Sequence, residues 1–244
     1  MDKLYKIIYC DDLRIHMAVI NDISERIYCP EEFDSSENRA ESIVAASIAA
    51  VLASDLKEAN SSITVMLRNV VKGVSYSVTA QQDGRICGTV GGYTKGVLKE
   101  GYILEVVRRS GLGKDYSSVV CGSSVDAVID EYITGSMQRK ALLKVYGNCA
   151  VLAEELPFTD IIAQGAEALK VLQLNPFPEA LTEENGFRVV EVSDLNYGCT
   201  CTKRSVKKAL VAALAGDDIS QLEDIIEISC KLCGKKYHIE KSEL

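Results

Sequence analysis

The chain has 244 residues, 47% of them hydrophobic and 25% charged, with no tryptophan and four phenylalanines, which is enough for one sizeable core plus a small domain. Its formal net charge of −8 argues against a nucleic-acid partner, because phosphate recognition needs a basic stripe. No apolar run reaches the roughly eighteen residues of a membrane span, and Asp2, Lys3 and Lys6 stand where a secretory signal would be apolar, so the expectation is a soluble cytoplasmic protein with no membrane partner.

In chain order, residues 1 to 28 alternate in part. Leu4, Ile7 and Ile8, then Ile15, Met17, Val19 and Ile23, read as short strands flanking Asp11 and Asp12. His16 inside the second strand reads as a structural histidine. From Ser36 to Glu58 the period changes: Ile43, Val44, Ala46, Ile48, Ala50, Val51 and Leu52 make a wide apolar stripe among small residues, which predicts a buried helix closely approached by its neighbours. Alternation resumes in 62–68 and 73–80, and Asp83-Gly84 supplies a hairpin turn before Ile86, so an antiparallel meander is expected. Gly88, Gly91, Gly92 and Gly96 lack the Gly-Lys-Ser/Thr ending of a phosphate loop and the strand-to-helix context it needs. Further strands are expected over 102–107 and 116–120, a helix over 124–132 capped by Ser123 or Ser124, and a hairpin of 142–146 and 149–153 turning at Gly147-Asn148. Residues 158–174 read as a helix, and 175–187, with Pro176, Pro178, Asn185 and Gly186, as a linker. Val189, Val190 and Val192 form a short strand leading into the cysteines.

The strongest chemical signal is at the C-terminal end. Cys199 and Cys201 are separated by one residue, twenty-eight residues follow, and Cys230 and Cys233 are separated by two. Two tight cysteine pairs joined by a short intervening segment match the ligand spacing of a tetrahedral four-thiolate zinc site; the plainer alternative is two pairs of core cysteines that happen to cluster. Gly234 is placed to take a positive φ, with backbone N–H groups aimed at the sulfur of Cys233. Between the pairs, Thr202 caps a helix carrying Val206, Leu210 and Leu214, and the capping-box pattern of Ser220 to Glu223 opens a second helix through Ile225 and Ile226 that delivers Cys230. A unit of this size has little apolar content, so a metal would supply much of its folding free energy. His238 is near in sequence, but four cysteines already fill the shell. The remaining cysteines, Cys10, Cys29, Cys87, Cys121 and Cys149, have no mutual spacing and read as small buried hydrophobes. From Cys199 to Leu244 eight basic residues face seven acidic ones, so this zinc segment has no basic stripe either. No Ser/His/Asp or Cys/His arrangement and no clustered carboxylate pair supports an enzyme.

These cysteine pairs close an acidic α+β chain that also carries Asp12-Leu-Arg14, the alanine-rich helix, the Asp83-Gly84 turn with Gly88, and Tyr116 through Ser123 followed by a helix and Ser136-x-Gln138. In these features the chain resembles the redox-regulated chaperones of the heat shock protein 33 family, over nearly its whole length. The resemblance implies an N-terminal α+β domain of antiparallel sheets packed with helices over 1–157, a helical linker over 158–187, and a small zinc-binding redox-switch domain over 188–244. It further implies an ATP-independent holdase, not an enzyme, inactive while one zinc is held by Cys199, Cys201, Cys230 and Cys233. Oxidation would pair Cys199 with Cys201 and Cys230 with Cys233, release the zinc, unfold the linker and expose a surface for unfolded client proteins, the active form being a homodimer. The region from Gly147 to Phe187 is shorter than is usual in that family. A constitutive chaperone or interaction module with a purely structural zinc is the alternative.

Overall fold

The structure, a computed structural model, describes residues 1–93, 100–136, 140–156, 165, 167–170, 172, 179–214 and 223–244. Two sheets of the α+β fold enclose one helix. The strands are β1 (Lys3–Tyr9), β2 (Leu13–Val19), β3 (Ser62–Asn69), β4 (Val74–Gln81), β5 (Arg85–Gly92), β6 (Tyr102–Arg109), β7 (Asp115–Gly122), β8 (Ala141–Tyr146), β9 (Cys149–Glu155), β10 (Phe187–Asp194), β11 (Asn196–Tyr197), β12 (Ile225–Ser229) and β13 (Lys236–Glu240). The helices are α1 (Asp22–Arg26), α2 (Ser36–Ala53), α3 (Val125–Ser136) and α4 (Lys203–Ala213). One sheet runs β10-β1-β2-β9-β8, a second runs β11-β5-β4-β3-β6-β7, and β12 pairs with β13 alone. Every named pair is antiparallel except β11 with β5.

α2 is the element both sheets share. The Ser35 hydroxyl caps it by accepting from the Asn38 N–H, and from Ala45 to Ala53 every residue is buried. Alanine and serine there allow the strands on either side to approach closely. Its partners are Leu4, Ala18, Ala150 and Leu152 of one sheet and Val65, Leu67, Tyr76, Val78 and Ile86 of the other, all in a single apolar cluster. The Tyr76 hydroxyl, fully buried, donates to Asn38 Oδ1 at 2.7 Å, so the one large polar group under the helix is satisfied. Gly88 lies in β5 close to β4, where a Cβ would meet the Ser77 carbonyl at 2.8 Å. This glycine serves strand packing, Gly92 lies where a Cβ would meet the Phe33 ring at 3.2 Å, Gly91 faces open space, and Gly96 lies outside the described residues.

A second, smaller cluster lies on the opposite face of the first sheet, where Ile7, Tyr9, Leu13, Ile15, Met17, Val151 and Phe187 pack with Ala168, Leu169 and Leu172. Residues 167–170 are helical, in keeping with the helix expected over 158–174; the rest of that stretch is mostly outside the described residues, as are 173–178 of the expected linker. β2 is covered on both faces, which is why its alternation is only partial: His16, Met17 and Ala18 are all buried. His16 Nδ1 meets the Ser54 hydroxyl at the end of α2, the structural role expected.

Three local expectations are corrected. Ile23 is in the short helix α1, where Ile20, Ile23 and Ile27 are buried at helical spacing. Ile225 and Ile226 belong to a strand, because β-branched side chains at 225, 226 and 228 favour the pleated conformation and β13 is there to pair with it. Of the five unassigned cysteines, Cys87 and Cys149 are buried but Cys10 and Cys121 are exposed. Cys10 occupies the β1–β2 turn at φ 49°, and Cys121 sits on edge strand β7.

Burial pushes the Cys149 thiol up to about 12 from an ordinary 9.0. The folded state therefore prefers the protonated form. The stability this confers is complete below pH 9 and is lost as pH rises through 12. Comparing chemical denaturation of Cys149→Ala and the parent chain should show a shallower alkaline loss in the variant, by about 2 kcal/mol at pH 10.5; parallel losses would contradict this assignment.

Candidate metal centre

Two short devices bring the four C-terminal cysteines together. The first is a strand ending. β11 lies parallel to β5, Asn196 beside Arg85 and Tyr197 beside Ile86, and the Gly198 N–H donates to the Ile86 carbonyl at 2.9 Å. Cys199 and Cys201 follow directly, and Gln81 Nε2 on β4 donates to Thr200 Oγ1 at 3.3 Å. The second is the tight turn between β12 and β13. The Gly234 N–H donates to the Cys230 carbonyl and the Cys230 N–H to the Lys235 carbonyl, both at 2.8 Å, with Gly234 at φ 68°. Between them α4 is capped reciprocally by Thr202 and Ser205, as its sequence predicts.

The four sulfurs of Cys199, Cys201, Cys230 and Cys233 all lie within 4.8 Å of one another. Metal–sulfur distances of about 2.3 Å give a tetrahedron with edges of about 3.8 Å. The Cys199–Cys230 and Cys201–Cys233 separations are 3.9 and 3.4 Å, so the donor set fits a tetrahedral ion of the zinc or iron type. Electrostatics point the same way. Burial pushes the Cys199 thiol up to about 12, partly offset by the Cys201 backbone N–H. Cys233 is also driven upward by burial, against the Lys235 N–H, the contact expected near Gly234. Cys201 is brought below its ordinary value despite burial, by the Tyr237 hydroxyl and the neighbouring sulfurs. Burial that disfavours the thiolate here would be offset by a cation between the four sulfurs.

Three further residues belong to this site. Tyr237, on β13, donates to the Cys201 carbonyl or sulfur, each at 3.0 Å. Tyr28 forms the floor under the turn, its ring so close that a Cβ on Gly234 would come within 2.6 Å of it. Cys87, on β5, is 1% exposed, yet belongs to neither apolar cluster; burial pushes its thiol up to about 11, against a hydrogen bond with the Cys199 side chain that lowers it. His238 faces Glu227 at 4.0 Å across the β12–β13 pair and is not one of the four. The valine strand 187–194, part of which the sequence groups with the cysteines, is the edge strand beside β1.

Gly234→Ala should strain the turn twice, through its positive φ and through the Tyr28 ring. The cost of a left-handed residue is about 1–2 kcal/mol, so metal affinity measured by chelator competition should fall by about tenfold. Unchanged affinity would mean that the turn is not anchored on Tyr28.

The family model described as Hsp33 protein matches residues 2–240. The chain belongs to the Hsp33 family. Its curated relatives include a 33 kDa chaperonin of Limosilactobacillus fermentum, 31% identical over 94 residues that cover 37% of this chain and 30% of the relative. Another, from a Thermoanaerobacter strain, is 32% identical over 99 residues, covering 35% and 33%. The matched part thus spans about a third of the length of these relatives. The crystal structure of a 33 kDa chaperonin from Thermotoga maritima superposes with a TM-score of 0.71 at 17% identity, covering 99% of this chain and 96% of that one, which shows that the Hsp33 fold is shared. No helix among the described residues is long and apolar enough to cross a membrane.

Proposed function

We propose that this member of the Hsp33 family is a redox-regulated, ATP-independent holdase of the cytoplasm, not an enzyme, with one zinc ion held by Cys199, Cys201, Cys230 and Cys233. The observation that carries the reading is the gathering of four sulfurs at tetrahedral separations in a segment docked on the edge of a core sheet. Zinc, when bound, would supply the double positive charge that keeps the four sulfurs as thiolates. The chain's own residues do the rest. Tyr237 and the backbone N–H groups orient the sulfurs, and Cys199-x-Cys201 and Cys230-x-x-Cys233 can each oxidise locally without closing a large loop. Four electrons leave the four thiolates, two per disulfide, and two equivalents of hypochlorite accept them, each taking two protons from solvent and going to chloride and water. Disulfide sulfurs carry no charge to hold a cation.

Docking depends on the geometry so lost. β11 holds only two residue positions on β5, and the turn touches Tyr28 through Gly234. Release would bare the edge of β5 and loosen the chain up to β10, where Val189, Val190 and Val192 already face outward, 38%, 58% and 49% exposed. An unpaired strand edge beside exposed valines suits an unfolded client, and pairing of two such edges suits a homodimer of the active form. The test compares suppression of a heat-unfolding client's aggregation, without ATP, by the reduced zinc form and by the same sample after hypochlorite. Gain on oxidation, reversed by a dithiol reductant, supports the switch. Equal suppression in both states would leave a constitutive chaperone with a structural metal.

A further inference from the structure

The outer face of the second sheet holds a fifth thiol under the metal centre. Along β5, Ile86 and Val90 point to the α2 core, so Cys87 points to the other face by the strand's period of two. A cysteine on that face would ordinarily meet solvent, yet Cys87 is 1% exposed and outside both apolar clusters. What faces it is the cysteine segment. Tyr197 is in register with Ile86, and the Gly198 N–H bonds the Ile86 carbonyl, so the next step along the two parallel chains brings Cys87 beside Gly198, one residue before Cys199. Neighbouring strands lie about 4.8 Å apart with a rise of about 3.3 Å per residue, so a partner one step along the neighbouring chain is about 5.8 Å away, inside the Cα range of about 4.4–6.8 Å that a disulfide spans.

We propose that Cys87 is a resolving thiol that forms a disulfide with Cys199 under peroxide, tethering the cysteine segment to the core sheet. The step rests on the reading that the four-sulfur site is open to oxidants. A hydroperoxide transfers an oxygen to the Cys199 thiolate, giving a sulfenic acid and hydroxide for hydrogen peroxide. The Cys87 thiol then attacks that sulfur, the S–O bond breaks as the S–S bond forms, and its proton leaves with the hydroxyl as water. The two electrons lost by the two sulfurs are those taken up by the O–O bond. The tether would keep Cys199 on β5 after the metal is gone and compete with closure of the Cys199–Cys201 ring, so peroxide and hypochlorite would leave the segment in different states.

The experiment uses the full chain in its metal-bound form. Hydrogen peroxide is added stepwise, free thiols are alkylated under denaturing conditions, and unreduced peptides are mapped by mass spectrometry. The expected result is a linked Cys87–Cys199 peptide, with Cys87 lost from the alkylated pool in step with Cys199. In Cys87→Ser the linked peptide is absent and Cys199 is recovered joined to another member of the cluster. Oxidation of Cys199, Cys201, Cys230 and Cys233 with Cys87 still fully alkylated would overturn the tether and leave the redox reading standing. Four cysteines all resistant to peroxide would overturn the tether, and resistance to hypochlorite as well would overturn the redox reading. The mapping of the parent chain stands whether or not the variant folds.

Discussion

Replacing Cys233 by serine should abolish stoichiometric metal binding and unfold the C-terminal segment while the two large sheets stay folded. Structural zinc in a four-ligand site contributes about 10–16 kcal/mol in small isolated units, and this segment has little else to hold it. Residues 203–213 of α4 have no buried side chain, and the β12–β13 hairpin buries only Tyr237 and Ile239. Amide hydrogen exchange should show protection lost in 199–214 and 223–244 but kept in β2, β3 and α2. A metal indicator should read close to no zinc per chain. Retained zinc with retained protection would show that three sulfurs suffice, and the tetrahedral account would fail.

The opposite lesion is Ile48→Ala. Ile48 is fully buried in α2 among residues of both sheets, and removing three carbons there costs about 2–5 kcal/mol in lost transfer and cavity terms. Against a total of about 5–15 kcal/mol for a domain, the midpoint of chemical denaturation should move well to lower denaturant. Metal content should not change below that midpoint, since Ile48 touches none of the four cysteines. A simultaneous loss of zinc would mean that core and metal centre unfold as one unit, and that the site is stabilised chiefly by its dock on β5.

Much of this architecture is written locally. Strict alternation in 62–68, the Asp83-Gly84 turn and the small-residue stripe of 43–52 each specify their element because the buried face repeats at the element's own period. The four-cysteine cluster is legible for a different reason: two cysteine pairs at those spacings have few other uses. What stayed hidden is made by tertiary contact. Cys87 comes beside Gly198, next to Cys199, only because two residues of β11 run parallel to β5, a pairing with no neighbouring turn to announce it. One signal was available, a cysteine on the polar face of an alternating strand. Ile225 and Ile226 misled because Ser220 to Glu223 has the form of a helix start, while the strand they enter is fixed by β13, beyond the metal turn. Ile23 misled because three isoleucines at helical spacing follow directly on a strand.

Titrating hypochlorite into the reduced, metal-loaded protein while following zinc release and client aggregation together decides whether loss of the metal creates the holdase. The account predicts that holdase activity rises along the same curve as the released zinc, with both reversed by reductant and zinc. Complete release with no gain of activity would contradict it, leaving a metal-stabilised fold whose loss of zinc does not create a client-binding surface.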